Sequence, residues 1–229
     1  MKNNIVESDI ARFETLNGIA ILANTVPTAF WSIFHMFADP HLLAKVRNQV
    51  EAITSTSEDG STRTINLRRL KEAPIIASLI QESLRHRATG IGPRMIMEDI
   101  KIGNSLLKKG SVAIIANKAL HQNKEAWGPS VDEFDAERFN AKFPSHAFRG
   151  FGGGVNQCPG KAFAMVEVAA LIAMLAMRFD LEPIGDRQWG EPGQDLTNMS
   201  LQVAPPLRRP MVAFVPRHEV EDVTWVFGE

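Results

Sequence analysis

The sequence contains a single cysteine, Cys158, no surplus of either charge, and no apolar core at its N-terminus. Each shortage removes a class of protein. One thiol rules out an intrachain disulfide framework and any zinc site built from several thiolates, so its chemistry is solitary or completed by a cofactor, and a reducing compartment suits it best. A formal net charge of -1 leaves no basic excess to attract nucleic acid or an anionic membrane. The opening "MKNNIVESDIARFETLNG" lacks the apolar stretch of a signal peptide or anchor. The most anchor-like segment follows the cysteine, but it carries Glu167 and Arg178 and reads as a helix buried in protein. No internal repeat, low-complexity tract or linker divides the chain, which is taken as one unit over residues 1–229.

What is present suits a large core: 45% of 229 residues are apolar. From about Ser8 to Phe37 the pattern is helical, with Ser8 or Asp9 as N-cap and "IAILANTVPTAFWSIFHMF" too long for a strand. Pro27 lies inside it, frees the carbonyl of Ala23 and bends the helix there, beside Asn24 and Thr25. Asp39 caps a second helix with Pro40 in its first turn. "TSTSEDGSTRTI" reads as a polar loop, and "LKEAPIIASLIQESLRHR" as a helix. The period then shortens in "PRMIMEDIKIGNSLLKKGSVAIIANKALH", a small antiparallel sheet with turns at Gly103-Asn104 and at Gly110. The next segment, to Gly150, is a long irregular loop, of the kind that usually exists for a purpose. After the cysteine loop and its helix come strand-like "LQVA" and "MVAFVPR".

The cysteine stands in "FGGGVNQCPGKAFAMVEVAALIAML", and three chemistries compete for it. A phosphate loop requires G-x-x-x-x-G-K-[ST], but five residues separate Gly154 from Gly160 and Ala162 offers no hydroxyl to magnesium. A nucleophilic thiol would profit from the helix dipole but wants a histidine base, and none of the six histidines stands in a recognisable partner motif. A buried structural cysteine does not explain four glycines. A metal thiolate does. A large flat cofactor over the loop needs backbone without Cβ atoms, peptide N–H groups turned toward sulfur, an aromatic wall from Phe151, and Pro159 in the first turn of the helix.

These residues resemble the haem-binding signature F-x-x-G-x-[RH]-x-C-x-G of the cytochrome P-450 family, with Phe151, Gly154, Cys158 and Gly160 at its fixed positions. Asn156 stands where an arginine or histidine usually reaches a haem propionate, and Arg94 in "GPRMIMED" matches an arginine that often does so. Glu82 and Arg85 in "ESLR" match the family's E-x-x-R; alone they are an i,i+3 helix pair worth about 0.2–0.5 kcal/mol. Arg138 in "DEFDAERF" matches P-E-R-F, with Ala136 replacing proline, and in the family it locks that pair behind the haem. His121 and Trp127 fall at the H-x-[DN] and W-G places.

The resemblance implies a mainly α fold with small antiparallel β-sheets, the C-terminal portion of the cytochrome P-450 fold. It implies heme b with Cys158 as axial ligand to iron, a small hydrophobic substrate, dioxygen, an NADPH-dependent reductase and no nucleic acid. A full-length relative sits on the cytoplasmic side of the endoplasmic reticulum membrane, whereas this chain is expected to have no membrane anchor of its own and to lack, or take from elsewhere, an N-terminal half. In most of the family the helix over the haem carries [AG]-G-x-[DE]-T-T. Here Ala23 aligns with the acid, Asn24 with the alcohol and Thr25 with the second threonine. "LANTVPTAFW" is similar to the branch holding sterol 7-alpha-hydroxylases and prostacyclin synthase, which share A-N-T-x-P. A carboxamide relays protons less readily than an acid. Asn24 is therefore expected to position dioxygen or a substrate oxygen in a monooxygenase, with isomerisation or dehydration of a peroxide as the alternative. Asn24 capping the Ala23 carbonyl, and a non-catalytic remnant, are the readings without catalysis.

Overall fold

The computed structural model describes residues 6–185, 188–198, 201–218 and 222–228, and of residues 16, 17, 19–21 and 156 the backbone alone. The long N-terminal helix is broken into three. α1 (Glu7–Ala20) leads into a π-helical turn, Ile21–Thr25, and α2 (Val26–Ala38) continues the rod. The cause is Pro27: it has no N–H for the Ala23 carbonyl and crowds it, and a wider turn relieves both. Asp39 leaves the helix with extended backbone and its Oδ1 accepts from the amides of His41 (2.8 Å) and Leu42 (3.2 Å), starting α3 (Pro40–Glu51).

The expected polar loop after α3 is instead a hairpin. β1 (Thr54–Thr56) pairs antiparallel with β2 (Thr62–Asn66), and β2 gains a parallel partner at the far end of the chain. The alternating threonines favour strand, Gly60 takes a positive φ of 73° in the turn, and Asp59 gathers the hydroxyls of Ser57 and Ser61 around it. A 3-10 turn, Leu67–Glu72, then precedes α4 (Pro74–His86). This helix begins at Pro74, later than "LKEA" suggested, because proline suits N1.

The expected sheet resolves into two separate pairs. β3 (Ile91–Met95) runs against a strand twenty residues on, while β4 (Ile100–Ile102) and β5 (Ser105–Leu107) form a hairpin around Gly103 between them, and β6 (Val112–Ala116) closes the first pair with Arg94 opposite Ala113. Short helices α5 (Asn117–His121) and α6 (Lys124–Trp127) follow, and the segment to Gly150 carries three 3-10 turns. It is held by its own apolar cluster of Trp127, Val131, Phe139 and Ala147, with Phe143 and Phe148 packed against it. α7 (Lys161–Arg178) is followed by β7 (Phe179–Pro183), which pairs antiparallel with β8 (Val212–Pro216). "LQVA" makes only an isolated bridge, Val203 to Ala88. β9 (Thr224–Gly228) is the parallel partner of β2.

The main core lies between α2, α3, α4 and α7, where Trp31, Met36, Ile76, Leu79, Ile80 and Ile172 are sealed from solvent. α7 meets α4 with Ala169, Ala173 and Ala176 buried, small side chains that let two helices approach closely. The chain is thus mainly α with small sheets at its margins. Among the described residues no helix is long and apolar enough to cross a membrane.

Candidate functional site

The cysteine loop hangs between two anchored ends. On its N-terminal side, His121 is buried with Nδ1 3.2 Å from the Arg85 carbonyl, and its Nε2 accepts from the Arg149 amide at 2.8 Å. Because an amide can only donate, Nε2 is the bare nitrogen and Nδ1 carries the proton. Burial pushes the His121 pKa down to about 4, so the ring stays neutral and the tie holds at neutral pH. Phe148 stacks on the ring at 5.3 Å. Sequence reading placed His121 in a motif but gave it no such work; the amide that it receives lies 28 residues away.

From Phe151 the loop turns back. The Cys158 amide donates to the Phe151 carbonyl at 2.9 Å, closing a ring of backbone around the 3-10 turn Gly154–Asn156. Gly154 has φ 64°, a conformation that strains other residues, and among the described residues nothing would crowd a Cβ there. The demand at Gly154 is thus conformational. A Cβ at Gly160 would lie 3.8 Å from the Cys158 sulfur, in ordinary contact, so glycine leaves that side of the sulfur open. Phe151 is half-buried against the main core, with the Lys161 ammonium 5.8 Å from its ring centre. Pro159 lies outside α7, whose N-cap is Gly160; no side chain caps the helix. The side chain of Asn156 lies outside the described residues.

Cys158 is exposed. Among the described residues no side chain hydrogen-bonds its sulfur, and the half-buried histidines are engaged elsewhere: His35 lies flat on Phe134 at 3.5 Å and His86 contacts the Asp132 carbonyl. A nucleophile–histidine pair is not formed. Nor, among the described residues, is there a cluster of three or more His, Cys, Asp or Glu that would hold a metal ion without a cofactor. The donor set fits haem: one soft thiol at the start of an 18-residue helix, with apolar Phe163, Val166 and Leu171 exposed along that helix. Arg94 is exposed on β3, makes no ion pair among the described residues, and turns Nη1 to the Pro93 carbonyl (2.8 Å).

Behind the loop, Glu82 and Arg85 are wholly buried and meet as a bidentate pair, Nε to Oε2 and Nη2 to Oε1, both 2.7 Å. Arg138 reaches Glu82 Oε1 at 3.2 Å, and the Asp135 amide donates to that oxygen at 3.0 Å. The spare donors of Arg85 go to the carbonyls of His121, Val131 and Glu133. So the three predicted residues do come together, and two cations around one carboxylate are made tolerable by main-chain oxygens from the irregular segment.

Asn24 and Thr25 sit in the π turn. Asn24 does not cap the Ala23 carbonyl by the route that sequence suggested: its Oδ1 accepts from the Gln202 amide (3.1 Å), while its own carbonyl accepts from the Thr28 hydroxyl (2.7 Å). The partner lies 178 residues downstream. Thr25 precedes α2 without capping it.

A model of the cytochrome P-450 family matches residues 18–206, and the chain belongs to that family. Among its relatives, cytochrome P-450 monooxygenase nodJ of Hypoxylon pulicicidum is 34% identical over 97% of this chain and 46% of its own length. The 24-hydroxycholesterol 7-alpha-hydroxylase of Mus musculus is 27% identical over 79% of this chain and 40% of its own. The bifunctional cytochrome P-450/NADPH–P-450 reductase ALT2 of Alternaria alternata is 30% identical over 65% of this chain and 14% of its own. The chain therefore spans less than half the length of these relatives.

Proposed function

We propose that this chain provides the haem-thiolate part of a cytochrome P-450 monooxygenase acting on a hydrophobic substrate of sterol, terpenoid, polyketide or lipid type. The observation that carries the proposal is the exposed Cys158 sulfur at the head of α7, in a loop tied through His121 to α4. When bound, haem supplies reductive activation of dioxygen, one atom entering a substrate C–H bond and the other leaving as water, with two electrons and two protons consumed. Cys158 would hold the haem iron through its sulfur, at the head of α7. Phe151 would wall the sulfur, Gly154 and Gly160 would leave room for the cofactor over the loop, and Arg94 would supply the cation for its carboxylates. Asn24 and Thr25 orient an oxygen-bearing group. The electrons come from an NADPH-dependent reductase, a reading supported by the bifunctional Alternaria relative, in which both functions share one chain. A full-length relative is placed with that reductase on the cytoplasmic face of the endoplasmic reticulum.

A second reading has its own support. Ala23 and Asn24 provide no acid–alcohol pair, and the Asn24 oxygen is already engaged. Both facts suit a substrate that contains its own O–O bond and needs no electrons. The test is the absorption spectrum of haem-loaded, reduced protein under carbon monoxide: the thiolate band is expected in the wild type and lost in Cys158→Ser, and its survival in the variant defeats the assignment. Turnover of a peroxide without NADPH and reductase would favour the second reading.

A further inference from the structure

The cysteine loop meets the rest of the chain at a ring, an amide and a glycine. His121 is sealed from solvent at the end of α5 and exchanges two bonds with the last turn of α4: its carbonyl accepts from Arg85 Nη1 at 2.8 Å, while its Nδ1 donates to the Arg85 carbonyl at 3.2 Å. The other ring nitrogen, Nε2, is left for the loop and accepts from the Arg149 amide at 2.8 Å. From there the route to the sulfur is short. The Arg149 carbonyl accepts from the Gly152 amide at 3.0 Å, and the neighbouring Phe151 carbonyl accepts from the Cys158 amide at 2.9 Å. One imidazole thus joins α4, with its buried Glu82–Arg85 pair, to the backbone that carries Cys158.

Gly150 sets how closely the same loop approaches α4. Phe148 stacks on His121 at 5.3 Å and meets Phe139 and Phe143 at 4.9 and 5.9 Å, so its ring is boxed in. A Cβ at Gly150 would lie 2.6 Å from Phe148 Cζ and 3.1 Å from Leu84 Cβ. Gly150 is not in the left-handed region, so, unlike Gly154, it is needed for clearance alone. Only a residue without a side chain lets the loop lie directly on Leu84 and on the ring that His121 holds.

We infer that His121 is a positioning residue for the haem ligand: its bare Nε2, with Gly150 as the clearance under the loop, holds the backbone from Arg149 to Cys158 at one place relative to α4, so that the sulfur is set before the cofactor arrives. This role rests on the haem-thiolate reading above. A loop that is already ordered loses little conformational entropy when it takes a ligand, whereas a loose one must fix each residue at that moment.

The test uses the whole 229-residue chain, first without haem. In the nitrogen-15 spectrum of the His121 ring, Nδ1 is expected to carry the proton at neutral pH and Nε2 to be bare; a proton on Nε2 overturns the inference. His121→Phe keeps a ring against Phe148 but removes the acceptor, so hydrogen exchange at the Arg149 amide should quicken by about tenfold, with the Asp135 amide on Glu82 unchanged. His121→Gln again supplies an acceptor and a donor, and should restore Arg149 protection to within about twofold of the wild type. Gly150→Ala leaves the imidazole in place but lifts the loop, and should quicken the same amide. Unchanged exchange in His121→Phe overturns the positioning role, as does equal quickening at Asp135; should that variant fail to fold, unchanged exchange in Gly150→Ala overturns it instead. With haem, reduced under carbon monoxide, the thiolate band should decay about tenfold faster in His121→Phe than in the wild type or His121→Gln. Equal decay in all three would show that the tie does not place the ligand. A wild type with the expected tautomer and exchange but no thiolate band removes the haem assignment and leaves the loop's positioning standing.

Discussion

Glu82 is a carboxylate from which water is fully excluded, and its charge is balanced by Arg85 and Arg138 and by the Asp135 amide. Removing one partner of such a set leaves the others buried without compensation, at about 3–5 kcal/mol. Glu82→Ala should therefore unfold at far lower urea than the wild type, whereas Cys158→Ser, at an exposed position, should fall within about 0.5 kcal/mol of it in the haem-free protein. Equal urea midpoints for Glu82→Ala and wild type would contradict this. Half-buried His35 and buried His121 add a pH dependence. Burial, with Arg87 next, holds the His35 pKa down to about 2, and burial holds His121 at about 4. An unfolded histidine takes up its proton near pH 6.5. Below that pH the unfolded chain binds more protons than the folded one, so stability is fullest above 6.5 and is lost as pH falls toward the folded values. Each unit between folded and unfolded pKa is worth about 1.4 kcal/mol. Urea midpoints should drop between pH 7.5 and 5.5, with a shallower slope in His35→Gln; a flat wild-type profile would refute the argument. At this scale the motifs were readable, since Glu82, Arg85, Arg138 and Cys158 follow fixed spacings. What they lacked was the surroundings: the carbonyls of His121, Val131 and Glu133 that make the pair tolerable have no signature, because every residue has one.

Among the elements, the long helix was legible down to its bend, because proline's missing N–H is a property of one residue. That the bend is a π turn, and that it aims Asn24 at Gln202, depends on chain 178 residues distant. Pro27→Ala restores a donor for the Ala23 carbonyl and removes the ring that crowds it, so the turn should tighten toward α geometry and draw Asn24 away from the Gln202 amide. Hydrogen exchange at that amide should then quicken by roughly tenfold, the loss of about one hydrogen bond. No change in its exchange would mean that the tie does not depend on the turn. The β1–β2 hairpin was missed for a different reason. Its residues are polar and its second strand is completed by β9, which begins 162 positions after β2 in register Thr62 to Thr224, so local alternation carried only part of the signal.

For the molecule as a whole, apolar surface is distributed unevenly. Val6, just before α1, and Ile10 and Phe13 on it follow one another at helical spacing and are 58%, 51% and 62% exposed. Such a stripe, three large side chains wide on a helix whose other residues are mostly polar, is a surface that water disfavours, and it drives association when nothing covers it. Phe163, Val166 and Leu171 form a second apolar line on α7, beside the cysteine loop. The two lines differ in what they predict. The one on α7 borders the proposed haem site, so charging it would confuse solubility with cofactor binding. The one on α1 is far from it along the chain, and can be changed alone. Ile10→Lys with Phe13→Glu should turn a self-associating protein into one that sediments as a monomer of 25.3 kDa, while the carbon monoxide spectrum per haem stays as in the wild type. A wild-type chain that already sediments as a monomer would show that this stripe is tolerated in water. Loss of haem binding in the double variant would show that α1 supports the site from a distance.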